Sequence, residues 1–140
     1  MKTMSQQLLI HGTVIFLISL LMGFTIPALS NGRMGVSAHV AGIQCGLMLW
    51  AFGAMWGRVA LADTVKAATQ LFALVGAYGI FLALLLAAIW GTSKVTPIAG
   101  AGHSAMQIRE WTVTIILTTG SLAATAAAAL LLWGLYAWRA

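Results

Sequence analysis

The run AATQLFALVGAYGIFLALLLAAIW, residues 67–90, decides the fold. It holds no Asp, Glu, Lys, Arg or His from end to end. At ~1.5 Å per residue it is long enough to cross a hydrocarbon core, which takes about 20 apolar residues. Backbone polar groups in lipid must be satisfied within their own segment, so the run reads as a transmembrane helix. The short alternating pattern of a membrane barrel strand is absent. Three more such runs flank it, at about Leu8–Leu29, Met34–Trp56 and Trp111–Trp138. The breaks at residues 30–33, 57–66 and 91–110 are too short for a second domain. The expectation is one all-α membrane domain over residues 1–140, a polytopic four-helix bundle with antiparallel neighbours.

Composition agrees. Of 140 residues, 61% are hydrophobic and only 6% charged. A soluble domain carries about 25% charged residues, so this chain cannot clothe a water-facing surface. Seven Lys and Arg against two Asp and Glu give a net charge of +5. The basic residues are scattered singly, which excludes a nucleic-acid footprint. One cysteine excludes a disulfide framework, and the lack of polar stretches excludes a disordered tail. The partner implied is the lipid bilayer, crossed several times.

Trp56, Trp90 and Trp111 bracket helix ends, and Trp133, Tyr136 and Trp138 close the chain, where headgroups are expected. Trp50 alone falls inside a span. Lys2, Arg58, Lys66 and Arg139 lie on one side, against Arg33, Lys94 and Arg109 on the other, which places both termini in the cytoplasm. Lys2 and the small residues of Ala28-Leu29-Ser30 give the first run some likeness to a cleavable signal. Its apolar core exceeds the roughly 7–15 residues of such a region, and His11 interrupts it, so it reads as a retained span.

Ionisable groups inside a bilayer are costly and are functional candidates by default. The four runs contain no Asp, Glu, Lys or Arg. A small proton-coupled drug exporter needs an embedded carboxylate, so that class is disfavoured. His11 and His39 remain. Their helices run antiparallel, so they enter from opposite faces and should differ in depth by roughly 20 Å. They cannot share one metal, whereas His103 lies on the same side as His39. At ~100° per residue, Gly35, Gly42, Gly46, Gly53 and Gly57 fall within about 60° of His39 on helix 2. Such a strip either lets another helix approach closely, or seats a flat cofactor whose iron His39 coordinates. Cys45 reads as a small buried hydrophobe. Gln44 reads as a hydrogen-bonding partner for another helix, and Tyr78 as packing or a hydrogen-bond donor. His11 can meet Gln7 one turn earlier, and Ala123–Ala129 reads as a tight packing face.

Residues 26–39, IPALSNGRMGVSAH, resemble the end of helix 1 and the start of helix 2 in bacterial hydroxylaminobenzene mutases. The segment HVAGIQCG, residues 39–46, continues the similarity, and AAIWGTSKVTPIAGAGH, residues 87–103, forms a second block. Membrane insertion does not dictate Pro, Arg, Met, Gly and His in irregular breaks, so the two blocks are specific. The similarity extends over nearly the whole chain. More distantly, His11-Gly12 and the His39 segment are similar to styrene oxide isomerase, another four-span enzyme.

That resemblance implies a haem b whose ferric iron acts as a Lewis acid, held by His39. It also implies a homotrimer in the bacterial inner membrane, with the cofactor at subunit contacts. The mutase resemblance implies rearrangement of an aryl hydroxylamine to an ortho-aminophenol, and the isomerase an aryl epoxide; neither reaction needs net electrons. On this reading His39 is the metal ligand, Gly35, Gly42 and Gly46 cradle the cofactor, and Tyr78 and Cys45 act in catalysis. Gln44 and His11 then line the pocket for a small aromatic substrate. The chain departs from the family pattern at Cys45, where both families carry Asn, at Ala41, where mutases carry Glu, and near Ala83, where a polar residue is expected. These departures imply a different substrate or weaker mutase activity. A non-catalytic haem-binding electron carrier, with His39 paired to His103 or a Met, and an accessory subunit packing through its glycines are the alternatives.

Overall fold

The computed structural model describes residues 3–138; Lys2 and Arg139, used in the orientation count, lie outside them. Four long helices, α1 (Met4–Gly23), α2 (Gly32–Met55), α3 (Asp63–Trp90) and α5 (Gln107–Ala137), are joined by short connections, and α4 (Pro97–Gly100) is a single turn in the third. Each long helix has the length and apolarity to cross a membrane. There is no strand among the described residues. The chain is an all-α, multi-pass membrane protein.

Local chemistry sets the helix ends. Thr3 and Gln6 form a capping box at the start of α1, each side chain satisfying the other's backbone N–H at 3.2 Å. α1 stops at Gly23, short of the expected end near Leu29, because Pro27 has no N–H to donate back along the helix. The chain passes instead through a 3-10 turn, Ile26–Ala28. Asn31 then turns extended, and its side chain accepts from Met34 N at 3.0 Å to open α2. Gly91, at φ 68°, provides the left-handed residue that ends α3.

The helices pack in sequence order, α1 on α2, α2 on α3 and α3 on α5, and α1 also touches α3. Small residues bring the antiparallel pairs backbone to backbone, as packing in lipid favours. A methyl group on Gly12 would stand 2.8 Å from Gly46 O, and one on Gly120 would stand 2.9 Å from Ile80 N. Val113, Gly120, Ala127 and Gly134, all buried, recur every seventh residue of α5 and form one coiled-coil-like seam toward its neighbours. Only one edge of the alanine stretch joins that seam: Ala127 is buried, while Ala128 and Ala129 are exposed.

Two tryptophans need comment. Trp56 is buried in the main core cluster with Leu8, Leu49 and Phe52, not displayed at a headgroup level. Trp50, inside its span, satisfies its indole N–H on Leu9 O at 3.2 Å and Thr13 Oγ1 at 3.0 Å. The outward faces of the long helices are largely apolar, with Leu21 of α1, Leu71 of α3 and Ile115 and Leu132 of α5 more than half exposed. That is the surface a lipid solvent calls for.

Candidate active site

His39 projects from the second turn of α2 toward the last turn of α1. Its Nδ1 lies 2.7 Å from Ser19 O. A carbonyl can only accept, so Nδ1 carries the proton and donates it, which leaves the lone pair on Nε2. The ring lies so close to α1 that a methyl group on Gly23 would stand 2.9 Å from Cε1. Glycine at position 23 is what admits the imidazole. Half-buried His39 lines a cavity of about 580 Å³ with Leu17, Leu20, Leu21, Phe24 and Ile26. Every one of those walls is apolar, so the imidazole is the one strong ligand facing the hollow. An imidazole oriented by a carbonyl at one nitrogen and free at the other has the chemistry to ligate the iron of a metalloporphyrin. The residues present fit such a group.

The glycine strip does something else. A methyl group on Gly42 would collide with Ser19 Oγ and the Phe81 ring, one on Gly46 with Gly12 O and Phe16, and one on Gly35 with Leu29. The strip is therefore filled by α1, its following turn and Phe81 of α3, and Gly35, Gly42 and Gly46 serve helix packing, not a cofactor cradle. Gly53 meets Leu9 in the same way, while Gly57 has nothing near it.

The remaining sequence candidates disperse. His11 Nδ1 lies 2.9 Å from the Tyr78 hydroxyl, with the rings edge to face, on the seam between α1 and α3. Gln7 pairs with Gln70 at 2.6 Å and not with His11. Along α1, His11 and Ser19 are about 12 Å apart at 1.5 Å per residue. The two histidines are thus nearer in depth than the expected 20 Å or so, yet well beyond a shared ligand sphere. Neither His11 nor Tyr78 lines the His39 cavity. Cys45 is buried in the main core cluster, where it packs and meets no substrate space. Gln44 is exposed on an outward face of α2. Ala83 is fully buried beside Met34 and Ala87. His103 is exposed and donates from Nδ1 to Gly100 O at 3.0 Å, outside the His39 cavity, so nothing pairs it with His39.

Sequence reasoning missed Ser19, Gly23 and the apolar wall of α1. The available signal was Gly23 itself, the one glycine in the C-terminal half of α1. A further set of polar contacts braces this end of the molecule. The Glu110 carboxylate accepts from the backbone N–H groups of Ser93 at 3.1 Å, Lys94 at 2.9 Å and Ala105 at 3.1 Å. Asn31 donates from Nδ2 to Gly100 O at 3.0 Å and from its backbone to Ala88 O at 3.0 Å. Both ends of the third connection are thereby tied to the helix termini around it.

Comparison with known proteins gives a consistent result. A family model described as styrene oxide isomerase matches residues 4–136. The chain is 38% identical over 133 residues to hydroxylaminobenzene mutase HabB of Ectopseudomonas oleovorans, covering 94% of this chain and 81% of that protein. It is 35% identical over 133 residues to hydroxylaminobenzene mutase HabA of the same organism, covering 94% and 98%. No solved structure matches it significantly.

Proposed function

The chain belongs to the styrene oxide isomerase family and is a membrane isomerase or mutase, and we propose that it rearranges an aryl hydroxylamine to an ortho-aminophenol at a haem b held by His39. The observation that carries this reading is the oriented imidazole, Nδ1 on Ser19 O and Nε2 free, in an apolar hollow. The mutase names of its relatives support the substrate class. Ferric haem, when bound, supplies a Lewis acid that draws electron density from the N–O bond.

The protein's own residues do the rest. His39 would hold the group, and the Ser19 carbonyl keeps its ring in one tautomer. Leu17, Leu20, Leu21, Phe24 and Ile26 exclude water, which would otherwise trap the positive charge that develops as the N–O bond breaks. In the net change the hydroxyl oxygen leaves nitrogen and bonds the ortho carbon, while the proton lost from that carbon is balanced by one gained at nitrogen. No oxidant enters and the mass is unchanged. The cavity is open on one side, and in this reading a neighbouring copy in a homotrimer closes it. The setting is the bacterial inner membrane.

Two tests apply. Purified protein incubated with phenylhydroxylamine, without oxidant, is expected to yield an isomer of equal mass by liquid chromatography and mass spectrometry. An aryl epoxide is the competing substrate, and turnover of that alone would replace the hydroxylamine assignment. Haem-loaded protein that converts neither would overturn the proposal.

A further inference from the structure

A second cavity, of about 450 Å³, opens where the first turns of α2 meet the third connection. Arg33, Ser37 and Thr96 form its polar side, and Val95, Pro97 and Ile98 its apolar side. Its α2 residues, Arg33 and Ser37, lie about 120° and about 160° around the helix from His39 at ~100° per residue, so it is separate from the candidate active site. Three cations occupy this end of the molecule, and two are already engaged. Lys94 Nζ sits 3.8 Å above the Trp111 ring, and the Arg109 guanidinium 5.6 Å from the Trp90 ring. Arg33 has neither an aromatic nor a carboxylate partner among the described residues. Of the two acids in the chain, Glu110 is committed to backbone amides and Asp63 opens α3 after a different connection. The cavity thus presents an uncompensated guanidinium above an apolar wall. Ile98 is 81% exposed and Met106 66%, apolar exposure that suits a connection at the boundary between headgroups and acyl chains.

We propose that this cavity binds the phosphate of an anionic phospholipid. Arg33 grips the phosphate oxygens with its planar fork, and Val95, Pro97 and Ile98 receive the upper part of an acyl chain. A free phosphate ion would use only the first of these contacts. Seated there, the lipid bridges α2 and the third connection, and so steadies the end of the molecule that carries His39.

The test uses the full chain, stripped of lipid in detergent, and adds back phosphatidylglycerol, phosphatidylcholine or glycerol phosphate. Phosphatidylglycerol is expected to be retained in native mass spectra and to raise the melting temperature by about 5 °C, the size expected for a ligand well above its Kd. Phosphatidylcholine and glycerol phosphate are expected to do neither. R33Q should abolish both effects, R33K should keep them in part, and K94Q should leave them intact. An equal response to phosphatidylcholine or to glycerol phosphate would overturn the proposal, as would equal losses in R33Q and K94Q, which would mark diffuse surface charge. Lipid retention by the unmodified chain and by R33K decides the matter if R33Q does not fold.

Discussion

At the scale of single residues, the functional reading rests on three positions that touch one another. Ser19 O fixes the tautomer of His39, and Gly23 leaves room for its ring. Gly23→Leu would drive a side chain into the imidazole and break its bond to Ser19. Haem retention, read as Soret absorbance relative to protein absorbance, is expected to fall several-fold while helix content by circular dichroism stays unchanged. His39 was legible in the sequence because an imidazole in an otherwise apolar run carries an energetic cost that calls for a reason. Its neighbours were not. Glycines on one face report a close approach without naming what approaches, and here the answer is α1 for Gly46 and α1 with Phe81 of α3 for Gly42. Gln44 and Cys45 sit next to each other in the chain, yet one faces outward and the other the core, because adjacent helical residues point ~100° apart. The His11–Tyr78 pair joins helices that are not adjacent in sequence, and no local pattern announces such a pairing.

At the scale of elements, the helix pairs separate packing from chemistry. Gly120 lies against Gly79 and Ile80, on the α3–α5 seam and away from His39. Gly120→Leu overpacks that seam, and a stability loss of about 1–3 kcal/mol is expected in thermal or denaturant unfolding, with the bound haem retained. Gly42→Leu wedges α1 from α2 instead and is expected to cost both stability and haem, since His39 and Ser19 are on opposite sides of that contact. Glu110→Gln weakens three hydrogen bonds to a charged acceptor, of a kind worth about 1.5–3 kcal/mol each to stability. Proteolysis within residues 91–106 is the readout, and faster cleavage is the expected result. Helix number and approximate span followed from hydropathy alone. The early end of α1 followed from one residue, Pro27, whose missing N–H a hydropathy profile does not register.

At the scale of the whole molecule, α1 through α3 are mutually packed while the outer faces and the His39 hollow remain open and apolar. That shape suits the proposed function, in which a small aromatic substrate arrives through lipid and the reaction is kept from water. Because the chemistry is an isomerisation, turnover should persist without oxygen or reductant. The most direct measurement is the visible absorption spectrum of the purified chain beside its His39→Ala and His11→Ala variants, all checked for intact helix content. A Soret band is expected in the unmodified chain and in His11→Ala, and its loss in His39→Ala. A colourless unmodified chain reconstituted with haem, or a His39→Ala spectrum identical to that of the parent, would contradict the assignment of His39 as the iron ligand.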